Sequence, residues 1–195
     1  MSSSSPSTIT ISPGRLLLSL VSLSTSISCY LADWNETHVK NPKWPPHARF
    51  HNGQTMSMGL VLGLLTLYFT WRKPPKPQAR SSPSGPGSNI DANKDGFSVA
   101  LAKDSITSAA LVGSLYWITG ISAIMYPGTK WVDPEFGTGA PQRGVFLGHL
   151  VLVWVGWWLE MRKLSRLEKE EVEGEGRGGC GGRIVAGAAP GKKGR

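Results

Sequence analysis

Cysteine is nearly absent from this chain. Cys29 and Cys180 are the only two in 195 residues, which gives no disulfide framework. Acidic residues are also scarce, 13 against 21 lysines and arginines, for a net charge of +8. A basic balance serves either nucleic acid or an anionic membrane surface. No nucleic-acid motif accompanies these cations and no stacking aromatics interleave with them, so nucleic acid is not an expected partner. There is no internal repeat, which leaves little room for alternating access in a transporter. The run D-A-N-K-D-G at 91–96 lacks the closing glutamate of a calcium loop, with Ala102 in its place. Average hydrophobicity is low as well, at a mean hydropathy of -0.13.

That average hides a segregation. Polar residues fill positions 1–15, 72–104 and the chain after Met161. Four apolar segments lie between them, and they predict membrane spans over about 16–32, 46–71, 106–126 and 144–161. The first is leucine-rich at one end and Ser/Thr-rich at the other. It also reads as a signal peptide, with one arginine, a short apolar core and small residues near Ser28. The second is the clearest, and it reaches spanning length if its helix starts at Pro46, since proline suits the first helical position. Gly59 and Gly63 on it form a G-x-x-x-G pair, a common helix-packing device. The third is rich in small residues, from Ala109 to Ser122. The fourth carries Trp154, Trp157 and Trp158 near its end, as an aromatic belt does.

The fold class expected is therefore all-α: an integral membrane four-helix bundle over 16–166. A Ser/Thr-rich N-terminus (1–15), a Pro/Gly/Ser-rich linker (72–104) and a charged, Gly-rich tail (167–195) are expected to be disordered. Sixteen of the lysines and arginines fall on the side shared by the N-terminus, the linker and the tail; five fall on the other. The positive-inside rule places the sixteen in the cytoplasm. The loop between the first two spans then faces the lumen or exterior.

That loop concentrates the chemistry. Positions 33–54 hold His38, His47 and His51, the acids Asp33 and Glu36, three asparagines and two tryptophans. His149 sits five residues past Gly144, roughly 8 Å into the fourth span. An ionisable residue inside a span is costly and marks function by default. All four histidines then share one membrane layer with these acids. His47 and His51, four apart, share a helix face. Three uses are open: acid–base catalysis by His47 and His51, oriented by His149 with Asp33 or Glu36; a metal held by His47 and His51; or purely structural bonds at the interface. Asn35-Glu36-Thr37 fits a glycosylation pattern, but Asn35, Thr37 and Asn41 lie so close to the membrane that tying the loop is their expected use. No cofactor is indicated.

The pattern D-W-N-x-T-H at 33–38 with N-P-x-W-P-P-H-A-R-F-H at 41–51 resembles a family of small four-span membrane proteins of fungi and some bacteria. That resemblance implies fold and membrane placement and no established activity. By layout the chain is also similar to small membrane isomerases, terpene cyclases and anthrone oxygenases of fungal secondary metabolism. Two functions are expected on these grounds. One is a membrane enzyme, in the endoplasmic reticulum, acting on a lipophilic small molecule such as a terpenoid or polyketide. The other is a non-catalytic scaffold or accessory subunit that pairs or oligomerises through Gly59, Gly63 and the small face of the third span.

Overall fold

The computed structural model describes residues 11–73 and 90–178, with backbone alone at 90–97, 140, 171 and 174–178. Four helices run in chain order: α1 (Pro13–Asp33), α2 (Pro46–Trp71), α3 (Ile90–Ser122) and α4 (Ala140–Gly178). Short 3-10 turns follow at Ala123–Met125 and Pro134–Phe136. There is no strand among the described residues. Two helix starts are written locally. Ser12 caps α1, its hydroxyl oxygen accepting from the Arg15 amide at 3.3 Å. Proline opens both α1 and α2, at positions whose missing N–H would be unpaired anyway. Each helix packs on its neighbours in sequence, and α4 closes the ring against α1. The bundle is up-down-up-down.

Three of the helices are long and apolar enough to cross a membrane: Pro13–Asp33, Ser98–Met125 and Pro141–Glu170. The second helix, whose sequence reads as the clearest span, falls outside that set. Its first turns carry His47, Arg49, His51, Asn52 and Gln54, and its apolar half is interrupted by Ser57, Thr66 and Thr70. Four boundaries also depart from expectation: α1 begins at Pro13, inside the stretch read as a disordered N-terminus, and α4 begins at Ala140, four residues early. Helix α3 begins at Ile90, inside the stretch read as linker, and α4 runs on to Gly178, well into the stretch read as tail. The α4 extension is rich in good helix formers, and the two extensions pack on each other: Val99, Ala102 and Leu164 join the core, and Lys103 Nζ meets Glu168 Oε2 at 2.6 Å. Disorder expected at 1–10, 74–89 and 179–195 lies outside the described residues.

The interior is small and hydroxyl-rich. Ser22, Thr25, Ser26, Thr66, Thr70, Ser105 and Ser114 are buried, whereas Leu16, Leu20, Leu23, Ile27, Val61, Leu64, Leu111, Leu115, Leu147 and Val151 face outward. The buried hydroxyls find carbonyls, on their own helix or across the bundle. Thr25 and Thr66 bond back one turn, to Val21 and Leu62, each at 2.8 Å. Ser22 donates across to the Gly63 carbonyl at 2.7 Å and Ser105 to that of Phe69 at 2.8 Å. Three indoles add cross-links, Trp71 to Ser19, Trp117 to Thr25 and Trp157 to Thr107. Gly59 and Gly63 are spent on this packing. A Cβ on Gly63 would lie 2.1 Å from Ser26 Oγ, and one on Gly59 would lie 2.9 Å from Cys29 Sγ. They are therefore an internal α1–α2 contact, not a free docking surface.

One end of the ring is closed by charge. Glu160 of α4 is 1% exposed and takes the Arg15 guanidinium at 2.8 Å. It also accepts the Ser12 hydroxyl. Arg15 donates further to the Thr70 carbonyl at 3.0 Å, so one side chain joins α1, α2 and α4. The backbones cross closely here. A Cβ on Gly14 would come within 2.6 Å of the Gly156 carbonyl. Glu160→Ala strands a buried guanidinium and should cost about 3–5 kcal/mol, while Arg15→Met/Glu160→Met should recover most of it. Thermal unfolding in detergent micelles reads both. Gly63→Val should cost about 1–3 kcal/mol by overpacking in the same assay. Gly53→Ala, where the new Cβ meets nothing within 4 Å, should be neutral or gain up to ~1 kcal/mol.

Candidate functional site

The opposite end of the bundle carries the histidines, and it is built by the loop at 34–45. Asn35 ends α1: its amide nitrogen donates to the Ala32 carbonyl at 2.8 Å, and its Oδ1 accepts the Thr37 amide at 2.9 Å and the Thr37 hydroxyl at 2.6 Å. Asn41 is buried, accepts the Lys43 amide on Oδ1 at 2.9 Å, and gives its carbonyl to Arg49 at 2.8 Å. Lys43 reaches Glu135 at 3.1 Å, which ties this loop to the one between α3 and α4. Asn and Thr side chains bonding backbone two residues on is the physics of tight turns. The glycosylation pattern at 35–37 is thus engaged in holding the loop.

The loop delivers His38 to Asp33. Nε2 lies 3.8 Å from Asp33 Oδ1, with side-chain exposures of 35% and 13%. Asn52, from α2, donates to Asp33 Oδ2 at 2.9 Å. Proton positions follow from the partners. The Thr37 hydroxyl spends its hydrogen on Asn35 Oδ1, so its oxygen accepts from His38 Nδ1 at 2.6 Å. Nδ1 therefore carries the fixed hydrogen, and Nε2 is the atom free to take or give a proton. Asp33 is the counter-charge for the ring once Nε2 is protonated. The Trp44 ring packs edge-on against His38 at 5.3 Å. Asn52 is 7% exposed, and its Oδ1 has no hydrogen-bond partner among the described residues.

The other expected site residues lie apart. His47 and His51 do share a face, with Nε2 atoms 3.0 Å apart, but that face is exposed. The inward positions of those turns are taken by Asn52 and Met56. Glu36 is exposed on the loop. No group of three His, Cys, Asp or Glu residues with metal-holding geometry occurs among the described residues. His149 is not in the layer of the other three. Helix α4 begins at Ala140, so His149 lies nine residues in, about 13 Å from that end. There it stacks on Trp117 at 3.9 Å and meets Ser24 Oγ through Nε2 at 2.7 Å. Its Nδ1 is 2.7 Å from the Val145 carbonyl, which can only accept, so Nδ1 carries the hydrogen and the neutral ring takes the Ser24 proton on Nε2.

Two features escaped the sequence. His38 was seen only as one histidine among four, although its place in D-W-N-x-T-H, five residues from Asp33 and next to a turn threonine, is the signal that separates it. Glu160 sat unnoticed at the end of an apolar run, where an acid followed by Arg162 and Lys163 reads as the start of the water-exposed tail. Ser24→Ala removes the partner of His149 Nε2 and should cost about 0.5–1.5 kcal/mol, the net worth of an intramolecular hydrogen bond. Thermal midpoints in micelles check this. A Ser24→Thr variant, which keeps the hydroxyl, should lose less.

No curated protein and no solved structure matches the chain. A family model does, over residues 17–85 and 87–170. The chain belongs to that family, a family of unknown function designated DUF6640.

Proposed function

We propose that the protein is a four-span integral membrane enzyme that moves a proton on a lipophilic small molecule, using Asp33 and His38 at the lumenal rim. Membrane insertion is supported by the many leucines, isoleucines and valines left facing outward, around an interior in which hydroxyls share the space with a few apolar side chains such as Leu18, Val21, Ile106 and Val153. Bilayer proteins pack on small polar residues because lipid is as apolar as leucine and gives no hydrophobic drive between helices. Helix α2 follows the same rule, with Gly59, Gly63, Thr66 and Thr70 buried and Val61, Leu64, Leu65 and Tyr68 outward, which supports it as the fourth span. The chemistry rests on one observation. Asp33 and His38 form a pair with one ring nitrogen fixed by Thr37 and the other facing the carboxylate. In this pair Asp33 Oδ1 takes a proton from one atom of a substrate, the protonated Nε2 of His38 returns one to another, and a proton passes from the carboxyl to the ring to reset the pair, the work of an isomerase or cyclase. The endoplasmic reticulum is the membrane in which to look first.

Of the two surfaces the scaffold reading relies on, the Gly59/Gly63 pair is used within the bundle. His47 and His51, exposed and remote from a carboxylate partner, serve in this proposal as interfacial residues. The test is a profile of lipid-soluble metabolites in the host, comparing deletion with strains carrying Asp33→Asn, His38→Ala or His47→Ala/His51→Ala at matched protein level. Asp33→Asn and His38→Ala should accumulate the compound seen on deletion, reflecting a loss on the order of 10²–10⁴ in rate. His47→Ala/His51→Ala should match wild type. A His38→Ala profile identical to wild type sinks the proposal.

A further inference from the structure

Helix α4 has an outward stripe that neither the bundle nor the histidine end uses. Leu150, Val151, Trp154, Val155 and Trp158 line an open apolar groove. Val151 is 60% exposed and Trp158 47%. One turn on, the Arg162 guanidinium lies over the Trp158 ring at 4.5 Å. Arg166 and Lys169 follow at spacings of four and three, on the same face, and both are exposed. Among the described residues neither Arg162 nor Arg166 forms an ion pair. The neighbouring acids are occupied or turned away. Glu160 is buried on Arg15, Asp104 meets Arg72, and Glu168 meets Lys103. The first acid on the outer stripe is Glu170, beyond the cations.

We infer that this stripe binds one anionic phospholipid, acyl chain along the groove and phosphate at Arg162 and Arg166. The inference rests on the membrane placement proposed above, and it adds a ligand site at the opposite end from Asp33. Dimensions fit. From Val151 to Trp158 is about 10 Å along the helix and from Trp158 to Arg162 about 6 Å. The headgroup region on each side of a bilayer is about 5–7 Å deep. The Arg162 backbone thus stands one turn beyond Trp158, at headgroup depth, and its guanidinium reaches back over the indole at the hydrocarbon edge. Arginine is the residue suited to phosphate, because its planar fork bonds two oxygens at once. Stacking on Trp158 holds that fork in place. Charge complementarity selects the occupant. A neutral peptide would satisfy the groove and leave two arginines unmatched, whereas an anionic diester tail-first in the groove satisfies both.

The test is native mass spectrometry of the full chain in neutral detergent micelles, titrated with phosphatidylglycerol or phosphatidylcholine of the same acyl chains. Phosphatidylglycerol should be retained at concentrations on the order of tenfold lower. Arg162→Ala/Arg166→Ala should abolish that preference. Lys43→Ala/Lys130→Ala, at the other end, should keep it. Inorganic phosphate at the same concentration as the lipid should not displace it. Equal retention of both lipids, a preference that survives Arg162→Ala/Arg166→Ala, or displacement by inorganic phosphate each overturns the lipid site. A chain that stays soluble without detergent and retains neither lipid overturns the membrane reading as well. Should the arginine variant not fold, the wild-type protein at high salt decides. The preference must fall as salt screens the headgroup contact, and a salt-independent preference rejects it.

Discussion

The structure depends on hydroxyls and backbone carbonyls meeting where four helices approach closely. Ser22 on the Gly63 carbonyl is the representative contact: it requires a glycine on α2 and a serine on α1, and it fails if either gains bulk. Most leucines and isoleucines face out, and the apolar cluster inside is small, built on Leu18, Val21, Ile106 and Val153. Packing density and satisfied polar atoms must do much of the holding. That explains why α1 carries so much serine and threonine in its second half, which in isolation looks like a weakened span. Those residues are its inner face. It also explains the three indole cross-links, since an indole supplies bulk for packing and one N–H for bonding.

The two ends of the bundle solve different problems. At the Arg15 end, α1 and α4 come together at Gly14 and Gly156, and the closeness buries Glu160. A buried carboxylate is tolerable only with a partner held to it, and Arg15 is held by a second helix through the Thr70 carbonyl. At the histidine end the connection between α1 and α2 is short, and its asparagines and threonine satisfy its own backbone. A loop so tied can hold His38 against Asp33 without help from the bundle core. Rigid placement of a proton-active nitrogen is what acid–base chemistry needs.

Much of this was legible in the residues themselves. The apolar runs give four helices, and proline at 46 gives the start of the second. The loop's turn chemistry can be read from Asn35, Thr37 and Asn41 alone. What could not be read is which polar residues meet across distance. Arg15 and Glu160 are 145 positions apart, and nothing local links them. His47 and His51 look stronger than His38 because helical spacing is visible in a sequence, whereas the rotation of that helix about its axis is not. Here Asn52 and Met56 take the inner positions and turn the pair outward. The helical extensions of α3 and α4 were obscured for a simpler reason. Charge and scattered glycine resemble linker composition, but Val99, Ala102 and Leu164 give the two extensions a seam to share.

That seam bears on the rest of the molecule. Because α3 and α4 stay paired beyond the Arg15–Glu160 tier, the outer face of α4 is presented as a continuous rod through the last aromatic and into the cationic turns. A frayed tail would scatter Arg162 and Arg166, and the positive charge would then have no fixed position. Held on a helix, with Trp158 beneath Arg162 at 4.5 Å and Glu160 turned inward, the same charges acquire a fixed depth and a fixed direction. The buried acid and the exposed arginine two residues later are therefore coupled. Glu160 can face the interior only if α4 keeps its register there, and that register sets Arg162 over the tryptophan on the opposite side.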